Sequence, residues 1–238
     1  MTGAKRTLGA VAFAGLALTM LLGARLPETE EQLAYSRLIA VHPPIAWVAY
    51  MAFGVTALAS LLYLFPATRH RRWDRIAAAS AEVGVLFTAL MLVTGSIWGK
   101  PTWGVWWVWD ARLTVSALML ALLLGYGALR RVTPDPDRRA MLSAVTALGA
   151  VVVVPVNHFA VTWWRTLHQG RSLADLSPSR NLDGQYIAVM LLGFVVMTLV
   201  YVWLVWQRVL VEQTEDERGE DELAVAIEER RREGVPVS

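Results

Sequence analysis

Six apolar runs leave this chain one class of fold. They fall at about 8–22, 38–65, 78–98, 113–129, 140–157 and 185–207 of its 238 residues. Each approaches or exceeds the roughly 20 residues that carry a helix across the hydrocarbon of a bilayer. Backbone in lipid must satisfy its own N–H and C=O groups, and continuous apolar runs of this length do so as α-helices. Composition agrees, with 55% of residues hydrophobic and a mean hydropathy of +0.43. The expected fold is an all-α integral membrane protein with six transmembrane helices. An even number of spans puts both termini on one side.

The side follows from the basic residues that flank the spans. One set of segments holds Lys5 and Arg6, then Arg69, Arg71, Arg72 and Arg75, then Arg130, Arg131, Arg138 and Arg139, then Arg208. The opposite set holds only Arg25, Arg37, Lys100, Arg112, Arg165, Arg171 and Arg180. The richer set belongs in the cytoplasm. Segments 27–37, 98–114 and 158–184 then face outward, which in a bacterial inner membrane means the periplasm. The first run resembles a signal peptide, but Leu21-Leu22-Gly23-Ala24-Arg25 is a poor cleavage site, so an uncleaved first helix is expected. Residues 1–210 form a six-helix membrane domain on this reading. Residues 211–238 form a charged cytoplasmic tail, with a candidate helix at 219–232 and no assigned chemistry. Pro134-Asp135-Pro136-Asp137 makes a stiff turn within the cytoplasmic loop 130–139.

Other function classes fall away. The net charge of +2 is dispersed over short loops rather than gathered into a basic face for nucleic acid. There is no cysteine, which removes disulfides, thiolate metal sites and thiol nucleophiles. No internal repeat signals an inverted-topology transporter.

Segment 98–114 is the densest chemical signal. Five of the eleven tryptophans (Trp98, Trp103, Trp106, Trp107 and Trp109) fall within twelve residues, followed by Asp110 and Arg112. Gly99, Pro101 and Gly104 predict that this stretch is not one continuous helix. An interfacial aromatic belt scatters its indoles over helix ends. A cluster on broken backbone instead suggests a flat platform for a large planar ligand.

Topology sorts the four histidines. His70 sits in a basic cytoplasmic loop and reads as a surface residue. His42 lies near the outer end of the second span, where an ionisable group marks a functional site by default. Pro43 and Pro44 follow it and leave a carbonyl that offers the imidazole a structural alternative. His158 closes the fifth span and His168 lies deeper in the outer loop, ahead of Gln169-Gly170. His168 is the preferred ligand of the two. Two imidazoles from separate outer segments suit the axial positions of a haem iron. Tryptophan faces suit a porphyrin, and Arg37, Arg112 and Arg165 suit its propionates. A three-histidine zinc site built from His42, His158 and His168 is the competing metal reading, and it leaves the tryptophans unexplained. A structural subunit recruiting partners in an ABC-type assembly, with tryptophans as interface anchors, is the alternative from another class. An amine transporter with an aromatic cage fits least, because the span centres are largely apolar.

Two motifs carry a family resemblance. Trp98-Gly99-Lys100-Pro101 through Trp106-Trp107-Val108-Trp109-Asp110-Ala111-Arg112-Leu113-Thr114 resembles the WWD signature of the haem-handling proteins of cytochrome c biogenesis. Trp163-Trp164-Arg165-Thr166-Leu167-His168-Gln169-Gly170 resembles the second hallmark of the CcmC branch. The larger relatives, CcmF and CcsA, tend to have Asp-Pro-Val-Glu where this chain has Asp110-Ala111-Arg112-Leu113, which narrows the match to CcmC. The resemblance spans about residues 33–186. It implies that haem b is taken at the outer face and presented to the haem chaperone CcmE, aiding its covalent attachment there without an ATPase of the chain's own. It also implies His42 and His168 as axial ligands of the iron. Trp98, Trp103, Trp106, Trp107, Trp109 and Asp110 correspond to the vinyl-side platform. Arg37 stands five residues before His42, as in the family. The ABC-transporter subunits CcmA and CcmB and the small protein CcmD are the further implied partners.

Overall fold

A computed structural model describes residues 3–30, 32–168 and 183–232, which are helical apart from turns, coil and one isolated Thr29–Leu33 bridge. The helices are α1 (Gly3–Ala24), a short 3-10 helix (Ala34–Ala40), α2 (His42–Leu64), α3 (Arg71–Trp103), α4 (Ala111–Val132), α5 (Pro136–Ala150), α6 (Val153–Trp163) and α7 (Gly184–Arg232). They give six helical stretches long and apolar enough to cross a membrane, with α5 and α6 counted as one. The all-α, six-span expectation holds.

Helices α2 and α3 form the central pair. Ala49, Ala52, Ala79 and Ser80 are fully or almost fully buried, and a Cβ added at Gly84 would stand 3.0 Å from that of Ala52. Small residues let two backbones approach closely where lipid supplies no hydrophobic drive between helices. One apolar cluster joins this pair to α1 and α7 through Ala12, Val48, Phe87 and Val200. A second joins it to α4 and α5 through Phe53, Met119, Leu123 and Ala147. Ser80 ties the centre together. Its hydroxyl bonds the Ala52 carbonyl at 2.9 Å, and Thr56 and Tyr201 meet it at 3.0 and 2.7 Å.

Helix ends follow local chemistry. Pro43 and Pro44 occupy the first turn of α2, where a missing N–H costs nothing. His70 caps α3 by accepting the Arg72 N–H, and Asp135 caps α5 by accepting that of Arg138. The chain breaks between α5 and α6 at residues 151–152. Pro155 explains this, since it can offer no N–H to the Val151 carbonyl four residues back and its ring crowds that carbonyl.

The Trp-rich stretch is not one continuous helix, as expected, and the break has a definite place. Gly99 and Pro101 do not interrupt the Trp-rich stretch, because α3 runs through both to Trp103. Pro101 has no N–H to give the Ile97 carbonyl, and Thr102 bonds back to the Trp98 carbonyl at 2.8 Å. The break falls at Gly104, whose φ of 79° is the left-handed stop that glycine adopts without strain. The candidate tail helix at 219–232 is helical too, as the end of a longer helix. Helix α7 continues unbroken from the last span to Arg232.

Helices α1 and α7 are antiparallel. Gly9 faces Trp203 and Gly15 faces Val196, while Tyr186 at the start of α7 bonds the Pro27 carbonyl beyond the end of α1. The described chain ends therefore share one end of the bundle, and His42 and Gly104 lie at the other.

Candidate functional site

At the His42 end, four segments converge: the start of α2, the end of α3, the 104–110 connection and the coil after α6. His42 is the first residue of α2 and leans on α3. Its Nδ1 lies 3.0 Å from the Thr94 hydroxyl, and its ring meets that of Trp98 edge-on at 5.8 Å. The imidazole thus bonds Thr94 rather than the carbonyl freed by the prolines. Trp98 is oriented in turn by a 3.0 Å bond from its indole N–H to Gln32. Thr94 and Trp98 are one helical turn apart, so both face the histidine.

His168 reaches the same end from the opposite side of the sequence. Its ring lies 6.2 Å from that of Trp103, and it stands within electrostatic range of His42, as does Arg112. The segment that carries it is clamped by Asp110. One carboxylate oxygen caps α4 by accepting the Leu113 N–H at 2.8 Å, and the other accepts the Leu167 N–H at 3.0 Å. Asp110 thereby links the Trp-rich connection to the residue before His168. Gln169, Gly170, Arg171, Arg180 and the remainder of segment 158–184 up to residue 182 lie outside the described residues.

Of the other tryptophans of the connection, Trp106 and Trp109 are exposed and Trp107 is half-buried. Trp107 packs edge-on against Trp109 at 5.5 Å, and Trp106 and Trp109 are 57% and 76% exposed. Trp163 stacks on Phe159 and also lies open to the surroundings. The arginines have separate roles in the fold. Arg37 donates to the Leu26 carbonyl at 2.9 Å, pairs with Glu28 at 3.5 Å and lines an apolar groove of about 350 Å³ with Met20, Tyr35 and Ile97. Arg112 reaches the Asn157 carbonyl at 3.5 Å, and Arg165 is exposed on the coil. Among the described residues no three His, Cys, Asp or Glu side chains gather to hold a metal ion, so the three-histidine zinc reading finds no support.

Comparison with known proteins decides the family. The family model described as "Heme exporter protein C" (CcmC) matches residues 3–224. The chain belongs to the CcmC family. It is 38% identical to a heme exporter protein C of Bradyrhizobium diazoefficiens over 79% of this chain and 71% of that protein. It is 39% identical to one from Haemophilus influenzae over 74% and 70%. A ccmC-like mitochondrial protein of cytochrome c biosynthesis from Marchantia polymorpha is 37% identical over 62% and 61%.

Several residues of this CcmC site escaped the sequence reading. Thr94 had a usable signal, being the hydroxyl one turn before Trp98 in an otherwise apolar stretch. Asn157 had one too. It is 1% exposed and donates to the Arg112 carbonyl at 2.9 Å and the Ser116 hydroxyl at 2.8 Å, while Tyr50 donates to its side-chain oxygen. A lone amide in an apolar span must find such partners or cost free energy.

The two-armed carboxylate of Asp110 gives a first expected result. Asp110→Asn keeps one acceptor oxygen for the α4 cap but cannot accept the Leu167 N–H as well as the carboxylate does. Amide exchange should quicken at Leu167 while the first turn of α4 stays protected. Asp110→Ala should release both and cost about 1 kcal/mol for the cap alone. Unchanged protection at Leu167 in both variants would sink the clamp.

Proposed function

We propose that this protein binds haem b at the periplasmic face of a bacterial inner membrane, where His42 and His168 would hold the iron, and delivers it to the haem chaperone CcmE. The observation that carries the reading is the pairing of each imidazole with a different indole of the Trp-rich stretch. His42 meets Trp98 and His168 meets Trp103, at one end of the bundle. Membership of the heme exporter protein C family supports haem as the cargo. The donor set fits, because two nitrogens with aromatic walls suit haem iron better than a bare divalent cation.

Haem supplies, when bound, a vinyl edge that can be joined covalently to a chaperone histidine. The chain's own part is positioning and exclusion of water. His42 and His168 would hold the iron, and Trp98 and Trp103 fix the rings of those side chains. Trp106, Trp107 and Trp109 offer apolar faces to the porphyrin, and the exposed indoles among them leave a surface for the chaperone. Asp110 holds the His168 segment in register. Arg37, Arg112 and Arg165 are the cations available to propionates. CcmA, CcmB and CcmD are the assembly in which delivery takes place, with any ATP hydrolysis residing outside this chain.

Optical spectra of protein purified from haem-replete membranes test the reading. Wild type should show a low-spin bis-imidazole Soret band. His168→Gly should lose it and regain it when imidazole is added, whereas His158→Gly should resemble wild type. Colourless wild-type protein would overturn the proposal and favour a recruiting subunit whose exposed tryptophans are interface anchors.

A further inference from the structure

We infer that Thr94 is a positioning residue for His42: it takes the imidazole Nδ1–H and so leaves Nε2 as the bare nitrogen. The inference rests on the haem reading only for its purpose, since the hydrogen bonds stand without it. A threonine hydroxyl has one proton to give and two lone pairs to offer. The Thr94 proton is directed along α3, with Oγ1 at 2.7 Å from the Leu90 carbonyl and at 3.4 Å from that of Met91. The remaining contact, 3.0 Å to His42 Nδ1, must then run from the ring to the oxygen. A neutral imidazole carries a single N–H. With that hydrogen spent on Thr94, the electron pair for a metal lies on Nε2.

The neighbouring residues hold the ring in this pose. A Cβ at Gly95 would stand 3.0 Å from His42 Cε1, so the imidazole lies against bare backbone there. Trp98 closes the next turn, edge-on at 82°. Thr94, Gly95 and Trp98 together make a notch on α3 that fits one imidazole and allows it one hydrogen-bonding partner. An outer group that fixes tautomer and orientation in this way raises the basicity of the ligand, and its loss costs roughly 10–100-fold in metal affinity.

Solid-state ¹⁵N NMR of the haem-free full chain in lipid vesicles, labelled at histidine, reads the tautomer directly. The His42 signals are assigned by their absence in His42→Gln. Wild type should show a protonated Nδ1 and a pyridine-type Nε2. Thr94→Ser should keep that pattern, and Thr94→Val should lose it. In haem-loaded protein, transfer to apomyoglobin should quicken roughly 10–100-fold for Thr94→Val and stay near wild type for Thr94→Ser. A protonated Nε2 in wild type, or a Thr94→Val spectrum matching wild type, overturns the inference. If Thr94→Val does not fold, the wild-type and Thr94→Ser spectra alone decide it. A correct tautomer in a wild-type chain that takes up no haem would sink the haem reading and leave the hydrogen-bond assignment standing.

Discussion

His42→Ala is expected to strip the protein of haem, while His168→Ala leaves part of it bound through the remaining imidazole. The asymmetry follows from how each ring is held. His42 starts a helix whose first turn is stiffened by Pro43 and Pro44, and its ring is lodged against Thr94, Gly95 and Trp98 on the facing helix. Moving it means moving two packed helices. His168 sits on coil beyond the end of α6, tied through the Leu167 N–H to Asp110 and through its ring to Trp103. Coil opens locally at lower free energy than a packed helix core. On the proposed reading one ligand would be fixed and the other exchangeable, as surrender of the cargo would require. Retention should fall by more than about 100-fold in His42→Ala, beyond what outer-shell partners alone carry, and by nearer tenfold in His168→Ala. Haem content per chain after purification, with the spin state from the visible bands, reads both. Equal losses, or a larger one at His168, would refute the division of labour.

What the sequence revealed and what it concealed divide along one physical line. The bilayer imposes its length on every span, so the six helices could be read from apolar runs without knowing what they pack against. Single residues with one dominant local effect were also readable in kind, though not always in position. Gly99 and Pro101 were among the expected interruptions of the Trp-rich stretch, yet α3 runs through both to Trp103. Gly104 stops it. The candidate ligands His42 and His168 and the tryptophans stood out because such side chains are expensive or conspicuous beside a membrane. Their supports did not. Thr94 with His42, Asp110 with Leu167 and Asn157 with Tyr50 join residues far apart in the chain, and nothing in local pattern says which partners will meet. Asp110 shows the gap most clearly. Its place after the tryptophans said nothing of the Leu113 and Leu167 N–H groups that its two oxygens accept.

Asp74→Ala should destabilise the protein by about 3–5 kcal/mol, the usual cost of stranding one partner of a buried ion pair. Arg130 reads in sequence as one more basic residue of a short loop. In the fold it forms a two-pronged pair with Asp74, at 2.6 and 3.0 Å, over the ring of Tyr126. The two side chains are only 12% and 14% exposed. Asp74 lies in the first turn of α3 and Arg130 in the last turn of α4, the ends at which each helix dipole favours that charge. The nearby Arg71–Asp137 pair at 3.3 Å is 51% and 79% exposed, so Asp137→Ala should cost no more than about 1 kcal/mol. Thermal unfolding in detergent separates the two, at roughly 2–4 °C per kcal/mol for a domain near this size. Replacing both partners with apolar residues, as Asp74→Leu with Arg130→Met, should recover most of the loss, because the penalty belongs to the unpaired charge rather than to the missing bond. The haem spectrum should stay unchanged throughout, since Thr94 lies about 30 Å further along α3 at 1.5 Å per residue. A double variant no more stable than Asp74→Ala would show that the pair itself, rather than the neutrality of its site, locks α3 to α4.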